Sequence, residues 1–194
     1  KPVVSIQYAN SEIGVVQDIK TIAELCHNYG ILFHTDAVQA YPYIKIDVKE
    51  LGIDLMTVSG HKFHAPKGIG FVYIRKGINM KSLISGGSQE RGLRGGTENV
   101  LGIIGIGSAI DGLQYNQELY HKLSNKFLYN LSDIKGIKIN GSYKKRLFNN
   151  LSITIPGTNS AELVEYLNLY DIDLSSGSAC NTGNISQVLK AIGL

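Results

Sequence analysis

No apolar run in the 194 residues reaches the roughly 18 needed to cross a bilayer as a helix. The opening Lys1-Pro2-Val3-Val4-Ser5-Ile6 also lacks the charged and apolar layout of a secretory signal, so a cytoplasmic protein without a membrane partner is expected. Cysteine is scarce. Cys26 and Cys180 are too few for a disulfide framework and lack the C-x-x-C spacing of structural zinc, so each is judged as a thiol. An excess of one charge is missing too: 19 basic and 16 acidic residues give a net charge of +3 and are scattered along the chain. A nucleic-acid binder concentrates its Lys and Arg on one face, so direct nucleic-acid binding is not expected. The nearest approach to a basic patch, Lys144-Lys145-Arg146, reads as a solvated turn. Internal repeats and low-complexity tracts are absent. The chain opens at Lys1, without a methionine and directly on a strand-like run, as a piece of a longer protein is expected to do.

What is present is the make-up of an ordinary globular chain, 43% hydrophobic and 18% charged. Short, nearly continuous β-branched runs at Val3–Tyr8, Ile31–His34, Leu55–Val58 and Gly70–Ile74 predict strands covered on both faces. Between the first two, Ile19, Ile22, Ala23, Leu25 and Cys26 recur at helical spacing and Gly30 stops the helix, which makes one βαβ unit. The expected fold class is α/β with a largely parallel sheet, whose ligands sit beyond the carboxyl ends of the strands. A long helix or kinked pair runs from Asn99 to about Ile134. Beyond it, Ile137–Ile139, Leu151–Ile155 and Ile172–Ser175 read as extended, Ser160–Leu169 as a helix capped by Asn159, and Ser186–Ile192 as a short helix. Two domains follow, residues 1–112 and a small α+β domain over residues 113–194.

Four motifs carry chemistry. Ser59-Gly60-His61-Lys62 closes a buried strand with a lysine, which is costly to bury unless paired or covalently engaged. A partly desolvated lysine suits attack on a carbonyl, with Ser59 and His61 as phosphate donors and Gly60 allowing close approach; the alternative is a polar strand end facing water. Phe33-His34-Thr35-Asp36-Ala37-Val38-Gln39 places Asp36 and Gln39 on one helical turn, where a carboxylate can hold a pyridine nitrogen protonated or, alternatively, cap a helix. Gln89 to Glu98 combines glycines, Arg91, Arg94 and Thr97 ahead of a helix, which makes either an anion site or a mobile Gly-rich loop. Ser175 to Gly183 surrounds Cys180 with small residues, as an exposed loop carrying a nucleophilic thiol would. Cys26, on the apolar stripe of its helix, reads as a small core residue. His27, His34, His64 and His121 have no spacing that forces a metal, and His61-x-x-His64 is read as accidental.

In order along the chain, Asn10–Gly14, His34–Gln39, Ser59–Lys62, Glu90–Thr97 and Ser176–Cys180 resemble the cysteine desulfurases of the NifS/IscS type. These form a branch of the class V aminotransferase-like, fold-type-I pyridoxal-phosphate (PLP) enzymes. The resemblance implies a PLP-binding large domain followed by a small domain carrying the Cys180 loop. It implies that Lys62 carries PLP, that Asp36 pairs with the pyridine nitrogen and that Gln39 bonds the ring oxygen. Ser59 and His61 would hold the phosphate, Thr97 the phosphate of a partner subunit in a homodimer, and Cys180 would take sulfur from L-cysteine. Alanine and a persulfide would result, the sulfur passing to an acceptor protein for iron–sulfur or tRNA-thiolation supply. Ser11 stands where the family has the Asn that approaches the cofactor. The family's stacking histidine, its Gly/Thr phosphate loop and its carboxylate-binding arginine have no match in these residues, so the chain alone is expected to bind PLP poorly and to be inactive. A selenocysteine lyase or similar class V lyase, and a non-catalytic truncated paralogue, are the alternative readings.

Overall fold

The computed structural model describes residues 1–176 and 186–194. The chain forms two compact units, one of Lys1–Tyr8 with Asp18–Tyr115, the other of Ala9–Gln17 with Asn116–Leu194. Residues 9–17 thus leave the first domain of the sequence reading and pack with the second unit.

The first unit is built on a four-stranded sheet of β1 (Val3–Gln7), β2 (Leu32–Asp36), β3 (Leu55–Ser59) and β4 (Gly70–Ile74), in that order. β1 to β2 and β2 to β3 are parallel and β4 returns antiparallel to β3, so the sheet is mostly parallel. The crossover from β1 to β2 is α1 (Ile19–Asn28). Asp18 caps it by accepting the Thr21 N–H at 3.3 Å, and Gly30 at φ 67° makes the left-handed exit that a side chain would resist. Its buried residues are Ile19, Ala23 and Cys26, spaced four and three apart, whereas Leu25 falls off this stripe and is exposed.

One face of the sheet is closed: Phe33, Thr35, Met56 and Val58 are all buried, and α1 packs on β2. On the other face, Val3, Ser5 and Gln7 are exposed and His34, Asp36, Thr57 and Ser59 are half-buried. The expectation of strands covered on both faces is therefore met on one face only within this chain. The alternation arises because successive side chains point to opposite sides, and the open side carries the polar residues.

The long helical pattern beginning at Asn99 divides into α2 (Val100–Asp111) and, in the second unit, α3 (Gln117–Leu131). Asn99 caps α2 through the Gly102 N–H at 3.0 Å, and Asn116 caps α3 through the Leu119 N–H at 3.2 Å. A fresh capping residue at Asn116 is the local reason for two helices instead of one.

The second unit adds a two-stranded antiparallel pair, β5 (Lys138–Ile139) and β6 (Ile153–Thr154), with α4 (Ser160–Asn168) and α5 (Gln187–Ala191). Asn159 caps α4 as expected, accepting the Ala161 N–H at 3.0 Å, and Ser186 caps α5. Ile172–Ser175 is not a strand: Asp171 turns the chain through φ 58°, and the four residues that follow are irregular.

Arg146 corrects the reading of Lys144-Lys145-Arg146 as a solvated turn. It is 5% exposed, and its guanidinium donates to the Asn150 carbonyl at 2.9 and 3.2 Å and to the Ile13 carbonyl at 3.2 Å. The Val16 N–H to Lys145 carbonyl bond and the Leu147 N–H to Gly14 carbonyl bond complete the attachment of residues 9–17. Neighbouring lysines hide this in the sequence, because a guanidinium with five donors can be buried against carbonyls where an ammonium stays wet.

Candidate functional site

β2 and β3 run parallel side by side, so their carboxyl ends, Asp36 and Ser59, lie on one edge of the sheet, where α/β folds place ligands. Asp36 is in register with Gln7 on β1 and Thr57 on β3. Its Oδ1 accepts the Val38 N–H at 2.9 Å, an Asx-type turn that rotates the chain off the sheet. The cap of a regular helix, weighed as the alternative for Asp36, does not form: residues 38–44 are turns closed by the Tyr41 N–H to Ala37 carbonyl and Ile44 N–H to Ala40 carbonyl bonds. The second carboxylate oxygen has no hydrogen-bond partner among the described residues. Gln39, on the same turn, is half-buried with its amide likewise unengaged among them.

After Ser59 the chain enters a 3-10 helix, Gly60–Phe63, that carries His61 and Lys62. Ser59 Oγ lies 2.8 Å from His61 Nδ1, so the two expected phosphate donors are already joined. Phe63, 1% exposed, anchors the helix and meets Tyr41 edge-on at 5.2 Å between centroids. That contact ties the turn bearing Gln39 to the helix bearing Lys62. A Cβ on Gly60 would lie 3.0 Å from the Ala65 Cβ and 3.0 Å from the Ile69 carbonyl, so tight packing inside the unit also favours glycine there. Lys62 itself is exposed, and the desolvation expected around it is not supplied by the described residues.

Thr97 is exposed and precedes the α2 cap, a role that Asn99 takes. The loop before it is pinned. Gly86 and Gly95 approach so closely that a Cβ on Gly95 would sit 2.8 Å from the Gly86 Cα, and the Gly95 N–H reaches the Ile84 carbonyl at 2.7 Å. Ser11 belongs to the second unit, where its carbonyl accepts from Asn150 Nδ2 at 2.9 Å. Cys180 lies outside the described residues, and Cys26 is buried. One residue of the motif was given no contacts by the sequence reading. His34, two positions before Asp36 on the same face, bonds Ser5 Oγ at 2.7 Å and Thr57 Oγ1 at 3.3 Å. Burial holds its pKa below the ordinary histidine value, with Asp36 acting in the opposite sense. The period of two linking His34 to Asp36 was the available signal.

The donor set fits PLP. A carboxylate oxygen without a protein partner suits a protonated ring nitrogen, a hydroxyl beside an imidazole suits a phosphate, and a lysine follows on the same edge. A sheet edge of this kind is where α/β folds place a ligand. The Aminotransferase class-V family matches residues 1–192, and the chain belongs to that family. It is 43% identical to the cysteine desulfurase IscS of Methanosarcina thermophila over 98% of this chain and 49% of that protein. It is 44% identical to the cysteine desulfurase IscS of Clostridium botulinum strain Hall, over 98% of this chain and 50% of that protein. Among solved structures, the NifS-like protein from Rickettsia africae is similar with a TM-score of 0.87 and 35% identity, over 99% of this chain and 52% of that one. SspA in complex with cysteine is similar with a TM-score of 0.82 and 34% identity, over 100% and 55% of the two chains. The fold is thus the mostly parallel α/β architecture of the NifS-like, fold-type-I PLP enzymes. The chain spans about half the length of the curated relatives it matches. No helix among the described residues is long and apolar enough to cross a membrane.

Proposed function

We propose that this chain is the segment of a cytoplasmic, homodimeric cysteine desulfurase that anchors PLP and carries the sulfur-accepting cysteine. The observation that supports this most directly is the placing of Asp36 and the Ser59–His61–Lys62 run on one carboxyl edge of two adjacent parallel strands. Relatives named cysteine desulfurase, and a similar structure described as a complex with cysteine, favour L-cysteine as substrate.

In this reading Lys62 carries PLP, Asp36 faces the ring nitrogen, Gln39 the ring oxygen, and Ser59 with His61 the phosphate. Thr97 serves the phosphate site of the partner subunit, and Ser11 stands on the cofactor-approaching segment with a shorter side chain than asparagine. PLP supplies an electron sink at the substrate's Cα. Lys62 moves the proton at Cα. The Cys180 thiolate attacks the substrate sulfur, so an S–S bond forms as the C–S bond breaks, and the carbon is protonated to alanine. A persulfide remains on Cys180 for an acceptor protein of the iron–sulfur scaffold or tRNA-thiolation type.

The test is the full-length protein, loaded with PLP and given L-cysteine and a thiol reductant. Equal amounts of alanine and sulfide are expected, both lost in Cys180→Ser. Sulfide and alanine persisting in Cys180→Ser would replace the desulfurase with a lyase that needs no enzyme thiol. Absence of both products from the loaded wild-type protein would leave a non-catalytic paralogue.

A further inference from the structure

We propose that His34 is a positioning residue that keeps Asp36 as the unpaired anion of its sheet face, with Ser5 and Thr57 fixing the imidazole from either side. This rests on the reading of Asp36 as the ring-nitrogen partner of PLP.

His34 and Asp36 are two residues apart on β2 and so share a face. Ser5 is the register partner of His34 on β1, and its Oγ lies 2.7 Å from Nδ1. Thr57 is the register partner of Asp36 on β3, and its Oγ1 lies 3.3 Å from Nε2. The imidazole therefore lies across three strands with both nitrogens engaged by hydroxyls. A hydroxyl can donate or accept, so the arrangement serves either tautomer of the neutral ring. The side chains sharing this face are Val3, Ser5 and Gln7 on β1, Leu32 and Asp36 on β2, and Leu55, Thr57 and Ser59 on β3. Asp36 is thus the charged group facing the imidazole from these strands. Its influence favours protonation, but burial outweighs it and the neutral form is favoured.

The chemical consequence falls on Asp36. A cationic neighbour would compete with a ring N–H⁺ for the carboxylate, and a second carboxylate would favour its protonation. A neutral, doubly anchored imidazole does neither. One oxygen of Asp36 is already held by the Val38 N–H, and the other is left for the ring nitrogen. As pH falls and the imidazole gains a proton, the carboxylate acquires a competing partner from its own strand.

The experiment uses the full-length PLP-loaded protein, with the absorption spectrum of bound PLP followed across pH and PLP affinity measured by equilibrium dialysis. His34→Leu removes both hydroxyl contacts, and the double variant Ser5→Ala with Thr57→Val removes the hydroxyls while keeping the ring. Each is expected to weaken PLP binding severalfold, because β2 loses the cross-strand anchor beside Asp36, and to move the pH midpoint of the cofactor spectrum. His34→Gln, neutral with one donor and one acceptor, is expected to restore most of both. If His34→Leu does not fold, the double variant decides. Wild-type spectra, midpoint and affinity in these variants, with an altered spectrum in Asp36→Asn, would overturn this role alone. An unchanged spectrum in Asp36→Asn would overturn the Asp36 reading and this one with it.

Discussion

Arg75 donates its Nε–H to Asp54 Oδ1 at 2.6 Å, joining the residue after β4 to the residue before β3 at the sheet edge opposite Lys62. Asp54 is fully buried, and its other oxygen takes the Phe33 N–H at 2.8 Å and lies 3.0 Å from His27 Nε2 on α1. One carboxylate thus gathers α1, β2, β3 and β4. Burial pushes its pKa up, but the Phe33, His27 and Arg75 hydrogen bonds prevail and hold it below the usual carboxylate value. A folded-state pKa below the unfolded one means that the stabilisation is complete above the unfolded value, about 4, and is lost as pH falls through the folded one. Asp54→Ala is expected to cost about 3 kcal/mol in urea unfolding at neutral pH, the usual scale for breaking a buried pair from one side. The part of the acid-side fall in stability due to this carboxylate should vanish in the variant. A neutral-pH loss below about 0.5 kcal/mol, within the range of surface substitutions, would show that the cluster is dispensable.

Gly60→Ala tests whether the lysine-bearing helix is set by packing. The added methyl would meet the Ala65 Cβ and the Ile69 carbonyl at 3.0 Å and the Ile106 Cγ1 at 3.3 Å. A carbonyl of a paired backbone cannot move alone, so a destabilisation of about 1–3 kcal/mol is expected. Weaker PLP binding in the full-length protein should accompany it. Unchanged urea midpoint and PLP affinity would mean that the 3-10 helix adjusts freely.

The attachment of residues 9–17 is tested by Arg146. Arg146→Lys keeps the charge but cannot reach the Asn150 and Ile13 carbonyls with a planar fork, so it should lose nearly as much stability as Arg146→Ala. A loss of about 2 kcal/mol or more is expected for either, from carbonyls left without a donor. Proteolysis within residues 9–17 should rise in both variants. Wild-type behaviour of Arg146→Lys would show that charge alone suffices.

Much of the first unit was legible because its strands announce themselves. β4 occupies the expected Gly70–Ile74, and β1 and β3 agree at their starts, since β-branched runs bounded by glycine and polar residues leave few alternatives. The order of Asp36 and Lys62 on one edge follows from the parallel pairing of β2 with β3, which the expectation of a largely parallel sheet implied, although the connection between those two strands carries turns and no regular helix. What stayed hidden depended on partners distant in sequence. Arg146 looks like its lysine neighbours until the Ile13 carbonyl is beside it, and His34 looks incidental until Ser5 and Thr57 flank it. The extended reading of Ile172–Ser175 failed because Ile-Asp-Leu-Ser holds one β-branched residue and a strand is fixed by pairing, which four residues of sequence do not reveal.

The lysine assignment has a discriminating test because Lys62 and Lys67 are close in sequence but differently held. Both are exposed, so accessibility alone does not choose between them. Lys62 sits on the 3-10 helix anchored by Phe63, next to the joined Ser59 and His61 side chains, so its amine is presented from a fixed base beside the phosphate-type donors. Lys67 sits in the connection to β4, next to Gly68 at φ 82°, where a Cβ on the glycine would meet nothing within 4 Å. A loosely surrounded turn gives an amine no preferred direction, and effective concentration at a bound carbonyl falls with that freedom. Borohydride reduction of the PLP-loaded full-length protein, followed by peptide mapping, should therefore place the pyridoxyl group on Lys62 at near-unit stoichiometry. Lys62→Ala should abolish labelling without moving it to Lys67. A label found chiefly on Lys67 or Lys76 would remove the premise on which Asp36, Ser59 and His61 are given their roles.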